Sequence, residues 1–226
     1  MHLNRRIKDV TMNLNLRTLL VASTMVALLL LGACGREPTH PSLPPGTVVL
    51  AIGDSVTFGT GAAPGEDYPT QLASITGWDI RNGGIPGDTS AGLKARVDAA
   101  LIETNPALVI VEIGGNDFLR RQPEAETKEN VRAILKRIRQ TAIPVVLVAT
   151  PKFTPLGAAF GLLPDSPIYA ELAEEENVPL VPDIFARVLA DTNLKSDHIH
   201  PNAAGYRKLA EGIAAELVNF GFVARK

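Results

Sequence analysis

The stretch Val48-Val49-Leu50-Ala51-Ile52-Gly53-Asp54-Ser55 constrains the chain most: an apolar run stops abruptly at Gly-Asp-Ser. A short run of β-branched and aliphatic residues suits a strand covered on both faces. Gly53 permits a tight exit, and Gly59 and Gly61 keep the following loop open. Such a strand delivers one serine hydroxyl to the end of a sheet. Serine is a useful nucleophile only with a base beside it. The question for the other 218 of the 226 residues is whether they supply a base, an orienting acid and a site for an oxyanion.

Beyond this stretch, helical and strand-like patterns alternate. Helical periods occupy 68–76, 89–104, 127–141, 168–177 and 203–220. In 127–141 the apolar residues Val131, Ile134, Leu135 and Ile138 share one face. Apolar runs at 78–82, 107–113, 144–149 and 178–181 lie between the helices, the first of them short and weak. This alternation implies βαβ units: an α/β fold, with a parallel sheet covered by helices on both faces. Right-handed crossovers leave few topologies. In such sheets ligands bind beyond the carboxyl ends of the strands.

The polar residues follow that rule. Gly53-Asp54-Ser55 ends the first strand, 82–88 (Asn-Gly-Gly-Ile-Pro-Gly-Asp) the second, and Gly114-Gly115-Asn116-Asp117 the third. Each glycine segment alone reads equally well as a plain βα turn. Three on one edge, one holding Ser55, bring backbone N–H groups and the neutral Asn116 amide to where an oxyanion would form.

The base must come from four histidines. His2 and His40 lie outside the patterned region, which leaves His198 and His200 in Ser196-Asp197-His198-Ile199-His200-Pro201. Pro201 is expected to open the final helix. A carboxylate three residues before a histidine can fold back onto its Nδ1, so His200 with Asp197 is the favoured pair. His198 remains the alternative base, and both histidines as polar helix-cap residues the alternative without chemistry. No third ligand is near them, which argues against a dedicated zinc site.

The N-terminus is a separate signal. Arg5, Arg6, Lys8 and Arg17 precede an apolar run at 19–31, too short for a comfortable span and suited to a signal-peptide core. It ends in Leu31-Gly32-Ala33-Cys34, before the chain's only cysteine, which can form no internal disulfide. This resembles the lipobox of bacterial lipoproteins and implies a signal peptide over 1–33 and lipidation of Cys34. Met12 offers a second start, since 12–17 is already an adequate n-region. Pro38, Pro41, Pro44 and Pro45 make 34–46 read as an extended linker, with the domain at 47–226. Without residues 1–33, which hold four Lys/Arg and one Asp, 18 basic and 23 acidic residues remain, a net charge of −5. That gives no basic footprint for nucleic acid.

Taken together, the blocks resemble the SGNH hydrolases, the GDSL esterase/lipase family, over most of the domain. The blocks are Gly53-Asp54-Ser55-Val56-Thr57-Phe58-Gly59, Gly87-Asp88-Thr89-Ser90, Gly114-Gly115-Asn116-Asp117 and Asp197-His198-Ile199-His200-Pro201. Gly92-Leu93 and Glu112-Ile113 beside them are similar to the thioesterase I/arylesterase/lysophospholipase subgroup. The resemblance implies a three-layer α/β/α, flavodoxin-like fold with a roughly five-stranded parallel sheet. It implies Ser55 as nucleophile, His200 as general base and Asp197 as its orienting acid. It implies oxyanion donors from the Ser55 and Gly87 N–H groups and the Asn116 side chain, with Asp54 and Asp88 holding their loops. The implied activity is hydrolysis of carboxylic esters or thioesters, including aryl esters and lysophospholipids, with no metal or organic cofactor. Gly35 after the cysteine resembles outer-membrane sorting, so the expected location is the cell envelope, at the periplasmic face of the outer membrane.

Residues 151–167 follow the fourth apolar run and contain Phe153, Leu156, Phe160, Leu162 and Leu163. Phe153, Leu156 and Phe160 are expected to wall the acyl chain, or else to pack on the loop's own helix. Arg120, Arg121, Glu124 and Glu126 read as a solvated cluster in which Arg120 can reach an anionic head group. Glu174, Glu175 and Glu176 read as solvated. Two other functions are weighed: a carbohydrate O-acetylesterase on the same fold, which the apolar loop disfavours, and a non-catalytic binding lipoprotein, which the intact Ser55, Asn116, Asp197 and His200 disfavour.

Overall fold

The computed structural model describes residues 40–152 and 163–225. The expected signal peptide, Cys34 and the loop residues Phe153, Leu156 and Phe160 lie outside the described residues. Five strands form one parallel sheet in the order β2-β1-β3-β4-β5: β1 Val48–Gly53, β2 Asp79–Gly84, β3 Leu108–Glu112, β4 Val145–Val148 and β5 Leu180–Val181. The described α-helices, numbered in chain order, are α1 Ser55–Phe58, α2 Tyr68–Thr76, α3 Ser90–Thr104, α4 Gly115–Leu119, α5 Glu124–Gln140, α6 Ile168–Glu176, α7 Ile184–Ala190 and α8 Ala203–Phe220.

Strand alternation divides the core into two halves. Val49, Ala51, Leu108, Ile110, Val146 and Val148 face α2, α7 and α8, where Tyr68, Leu72, Phe185, Leu209 and Ile213 cover them. Leu50, Ile52, Val109, Val111 and Leu147 face α3, α5 and α6, covered by Leu93, Val97, Ile134, Leu135 and Leu172. The result is the expected α/β/α sandwich. The chain runs from β1 to β2 on one side and then crosses back past β1 to β3 on the other. A crevice therefore opens between β1 and β3 at their carboxyl ends, the usual ligand position in this strand order.

Several boundaries differ from those the pattern suggests. The α5 helix begins three residues before 127, because Glu124 and Glu126 complement the helix dipole in its first turn. The seven-residue α7 was not legible, since a short segment after Pro182 has too few turns to show a period. Pro201 does not open α8. Asn202 caps it by accepting from Gly205 N, and Pro201 instead bridges Lys195. Glu176 is only 8% exposed and pairs with Arg132 at 3.2 Å, so it is not solvated. Residues 40–46 of the expected linker lie against the domain: Leu43 N donates to Phe222 O at 2.8 Å, Trp78 Nε1 donates to Leu43 O at 3.3 Å, and His40 stacks on Phe222.

Gly53 is required by close approach. A Cβ there would stand 2.0 Å from Glu112 O on β3 and 2.3 Å from Thr57 Oγ1. Gly53→Ala is expected to destabilise the domain by about 1–3 kcal/mol through overpacking, seen as a lower midpoint in thermal unfolding. An unchanged midpoint would contradict this packing.

Candidate active site

Ser55 is the first residue of α1, and its turn is built by Asp54. The Asp54 side chain accepts from Val56 N at 3.0 Å, which satisfies one orphan donor of the helix start. Burial pushes the Asp54 carboxyl up to about 6, although the Val56 N–H, the charge of His200 and the Asn116 amide all favour its ionised form. Gly53 pairs with Gly84 of β2 on one side and with Glu112 of β3 on the other. The three glycine-bearing junctions therefore leave the sheet at one level.

The base arrives from the far end of the chain. Asp197 folds its own loop: Oδ1 accepts from Ile199 N and His200 N, each at 2.8 Å, and Oδ2 accepts from His200 Nδ1 at 2.7 Å. This is an Asx-type turn extended by one side-chain bond, which explains why the three-residue spacing works. Burial raises the Asp197 carboxyl, but the bonds from the His200 ring and the two backbone N–H groups outweigh it, and the net shift is downward. With Nδ1–H given to Asp197, the His200 Nε2 lone pair accepts from Ser55 Oγ at 2.9 Å. His198 is exposed and has no hydrogen-bond partner among the described residues.

The oxyanion donors are arranged by two loops. Ile85-Pro86-Gly87-Asp88 is a type II turn, with Asp88 N donating to Ile85 O at 3.1 Å and Gly87 at φ +79°. The Ser55 and Gly87 N–H groups have no acceptor among the described residues, and both residues line the cavity. Asn116 lines it too, but its Nδ2 donates to Asp88 O at 2.9 Å and to Asp54 Oδ2 at 3.2 Å. In the resting site its hydrogens are thus directed at protein oxygens. Two acceptors on one side fix the amide orientation, since Oδ1 there would face oxygen. An oxyanion would have to share the longer of these bonds.

Arginines hold the loops, a role the sequence did not reveal. Arg96 Nε pairs with Asp88 at 2.8 Å, and its Nη2 donates to Gly53 O at 2.9 Å. Arg120 Nη2 donates to Gly87 O at 2.8 Å, bracing the turn that presents the Gly87 N–H. Asp117 accepts from both the backbone and the hydroxyl of Ser90, which joins the second and third blocks.

The cavity over Ser55 has a volume of about 200 Å³. Val56, Pro86, Leu119, Phe185 and Ile199 give it apolar walls, and Glu112 lines it as well. Phe185 had no signal marking it as a site residue, being a core-type residue on an unrecognised helix, whereas Ile199 and Glu112 stood within or beside the quoted blocks without a role of their own. The expected acyl wall of Phe153, Leu156 and Phe160 lies outside the described residues. Leu163, from the same loop, is buried in the core half that also holds Val148 and Phe185, next to an isolated antiparallel bridge that joins Pro151 to Asp165. Among the described residues no cluster of three His, Cys, Asp or Glu side chains could hold a metal ion.

A serine hydroxyl hydrogen-bonded to an oriented imidazole, beside unengaged N–H groups, is the geometry of acyl transfer. Comparison with known proteins agrees. Residues 51–208 match the GDSL-like Lipase/Acylhydrolase family. The chain belongs to this family, the SGNH hydrolases, and is an ester hydrolase by class. It is 32% identical over 171 residues to "Esterase TesA" of Pseudomonas aeruginosa, covering 73% of this chain and 85% of that protein. It is 31% identical over 174 residues to "Thioesterase 1/protease 1/lysophospholipase L1" of Escherichia coli strain K12, covering 75% and 82%. A solved structure of TesA superposes with a TM-score of 0.66 at 31% identity, over 75% of this chain and 97% of that one. A more distant relative is the "Acetylxylan esterase" of Xylanibacter ruminicola, 27% identical over 209 residues, of which the chain covers only 42%.

His200→Ala is expected to lower kcat/KM on an activated ester by ~10⁴-fold or more, and His198→Ala to leave it within about threefold, the change ordinary for a side chain with no partner. Initial rates on p-nitrophenyl acetate would separate the two; loss in His198→Ala alone would reverse the assignment.

Proposed function

We propose that the protein is a serine esterase of the cell envelope that cleaves carboxylic esters or thioesters through an acyl-enzyme on Ser55. The observation that carries this reading is the chain of hydrogen bonds from Ser55 Oγ to His200 Nε2 at 2.9 Å and from His200 Nδ1 to Asp197 at 2.7 Å, at the floor of an apolar cavity. His200 takes the Ser55 proton as Oγ attacks the carbonyl carbon. The Ser55 and Gly87 N–H groups and the Asn116 amide receive the oxyanion, and a single such donor contributes about 2.7–4 kcal/mol to the transition state. The imidazolium, held by Asp197, then protonates the leaving alcohol or thiol. Water activated by the same ring releases the acid and restores Ser55.

A cavity of about 200 Å³ with aliphatic and aromatic walls suits short to medium acyl chains. The similarity to an esterase and a thioesterase/lysophospholipase supports carboxylic esters, acyl thioesters and lysophospholipids as the substrate class. The distant acetylxylan esterase relative favours a second reading, deacetylation of a carbohydrate. A panel of p-nitrophenyl esters from acetyl to palmitoyl separates these. We expect turnover of several chain lengths by the wild type and none by Ser55→Ala. A sharp preference for acetyl, with acetate released from polysaccharide, would favour the second reading. Turnover undiminished in Ser55→Ala would contradict both.

The lipobox-like Leu31-Gly32-Ala33-Cys34 supports export and lipidation at Cys34, with residues 1–33 as the signal peptide. A lipid on Cys34 would hold the hydrolase at a membrane, at the periplasmic face of the outer membrane in a two-membrane host. Full-length protein is expected in the membrane fraction and Cys34→Ala in the soluble one; membrane retention of Cys34→Ala would contradict lipidation.

A further inference from the structure

Glu112 is the buried acid that the reaction scheme leaves unused. It ends β3, is 1% exposed, and lines the cavity beneath Ser55. Its Oε2 accepts from Thr57 Oγ1 at 3.1 Å, two residues past the nucleophile, and Oε1 lies 3.3 Å from the Thr150 hydroxyl. Tyr68 OH completes the set at 3.2 Å from Thr57 Oγ1. The absence of a side chain at Gly53 is what permits this: a Cβ there would stand 2.3 Å from Thr57 Oγ1, in the space through which the hydroxyl reaches Glu112. We propose that Glu112 is a positioning residue for the acyl transfer, a neutral carboxylic acid that grips the α1 turn through Thr57 and sets the height and direction of Ser55 and its N–H.

The surroundings support a neutral group. The titratable groups facing it are Asp54 from the β1 exit, Tyr68 from α2, Tyr169 from α6 and Tyr206 from α8, none of which is a cation. Arg96 ends on the Gly53 carbonyl and His200 on Ser55, so neither pairs with it. Burial, and then the nearby Asp54, push the Glu112 carboxyl well above the usual range, with the Thr57 and Thr150 bonds opposing. Of two neighbouring buried carboxyls, the one that no cation faces retains the proton. Asp54 accepts two N–H bonds and favours the charge, whereas Glu112 meets only hydroxyls and keeps the proton. A protonated Glu112 can donate to Thr150, whose hydroxyl in turn lies 3.5 Å from Ile113 O. The negative charge thus stays on Asp54, where it fixes the Asn116 amide with its N–H groups inward.

This proposal rests on the acyl-transfer reading, and its test separates the two. Steady-state kinetics on a p-nitrophenyl ester would compare wild type, Glu112→Ala, Glu112→Gln and Thr57→Val, with Ser55→Ala as control. Glutamine has the shape of the neutral acid and can both accept from Thr57 and donate to Thr150. We expect Glu112→Ala to lose about tenfold to hundredfold in kcat with KM within about threefold, the signature of a misplaced nucleophile. Glu112→Gln is expected to restore kcat to within about threefold of wild type near neutral pH, since it keeps both hydrogen bonds. If Glu112→Ala does not fold, Thr57→Val carries the test, with kcat again lowered at constant KM. Wild-type kcat in Glu112→Ala or in Thr57→Val would overturn the proposal. So would a folded Glu112→Gln as impaired as Glu112→Ala, or a loss confined to KM. Activity retained by Ser55→Ala would instead overturn the acyl-transfer reading itself.

Discussion

The hydrogen bond between Ser55 Oγ and His200 Nε2 joins residues 145 positions apart in sequence, and the architecture is what makes it short. Ser55 is fixed by the exit of β1, an interior strand buried from Val49 to Gly53, and by the cap that Asp54 places on α1. His200 is fixed by a loop that folds on Asp197 and is tied to α8 through Asn202, whose side chain also donates to Asn193 O at 2.8 Å. The sheet and α8 bring the two preformed pieces together. The rigid half of the site therefore sits on the core, while the Asp197 side chain, 52% exposed, carries the softer half.

Three carboxyl groups around one serine are held in different states by environment alone. Asp197 is reachable by solvent and accepts three hydrogen bonds from its own loop and from His200, which keeps it ionised to stabilise an imidazolium. Asp54 is buried yet accepts Val56 N–H and Asn116 Nδ2, and its carboxyl rises only to about 6. Glu112 is buried with hydroxyl partners only, and it rises further. Charge thus sits where a cation will form and where the amide must be oriented. The uncharged acid lies under the nucleophile, where a further negative charge would oppose the oxyanion.

Much of this site was readable from residue order, because its chemistry follows element ends. Apolar runs stopping at glycine marked β1, β2 and β3 and placed Ser55, Gly87 and Asn116 on one edge. The Asp197–His200 spacing told which histidine could be oriented, since a carboxylate can close that turn on itself. What escaped reading depends on tertiary contact. The α7 helix has too few turns to show a period, yet brings Phe185 to the cavity. Asn116 was expected to point at substrate, and its resting bonds to Asp54 and Asp88 follow from loops distant in sequence. Arg120 read as a solvated charge and is exposed, and its bond to Gly87 O could not be seen from the pattern. Glu112 stood beside the third block without a role, and its bond to Thr57, for which Gly53 opposite leaves room, is set by tertiary contact.

The most direct test of the account is covalent trapping. An alkyl p-nitrophenyl phosphonate would be incubated with the protein at neutral pH, and the adduct located by peptide mass mapping. One phosphonyl group per chain is expected, on Ser55, forming far more slowly in His200→Ala and absent in Ser55→Ala. An adduct on any other residue, or stoichiometric labelling at the wild-type rate without His200, would contradict the claim that Ser55 is the nucleophile and His200 its base.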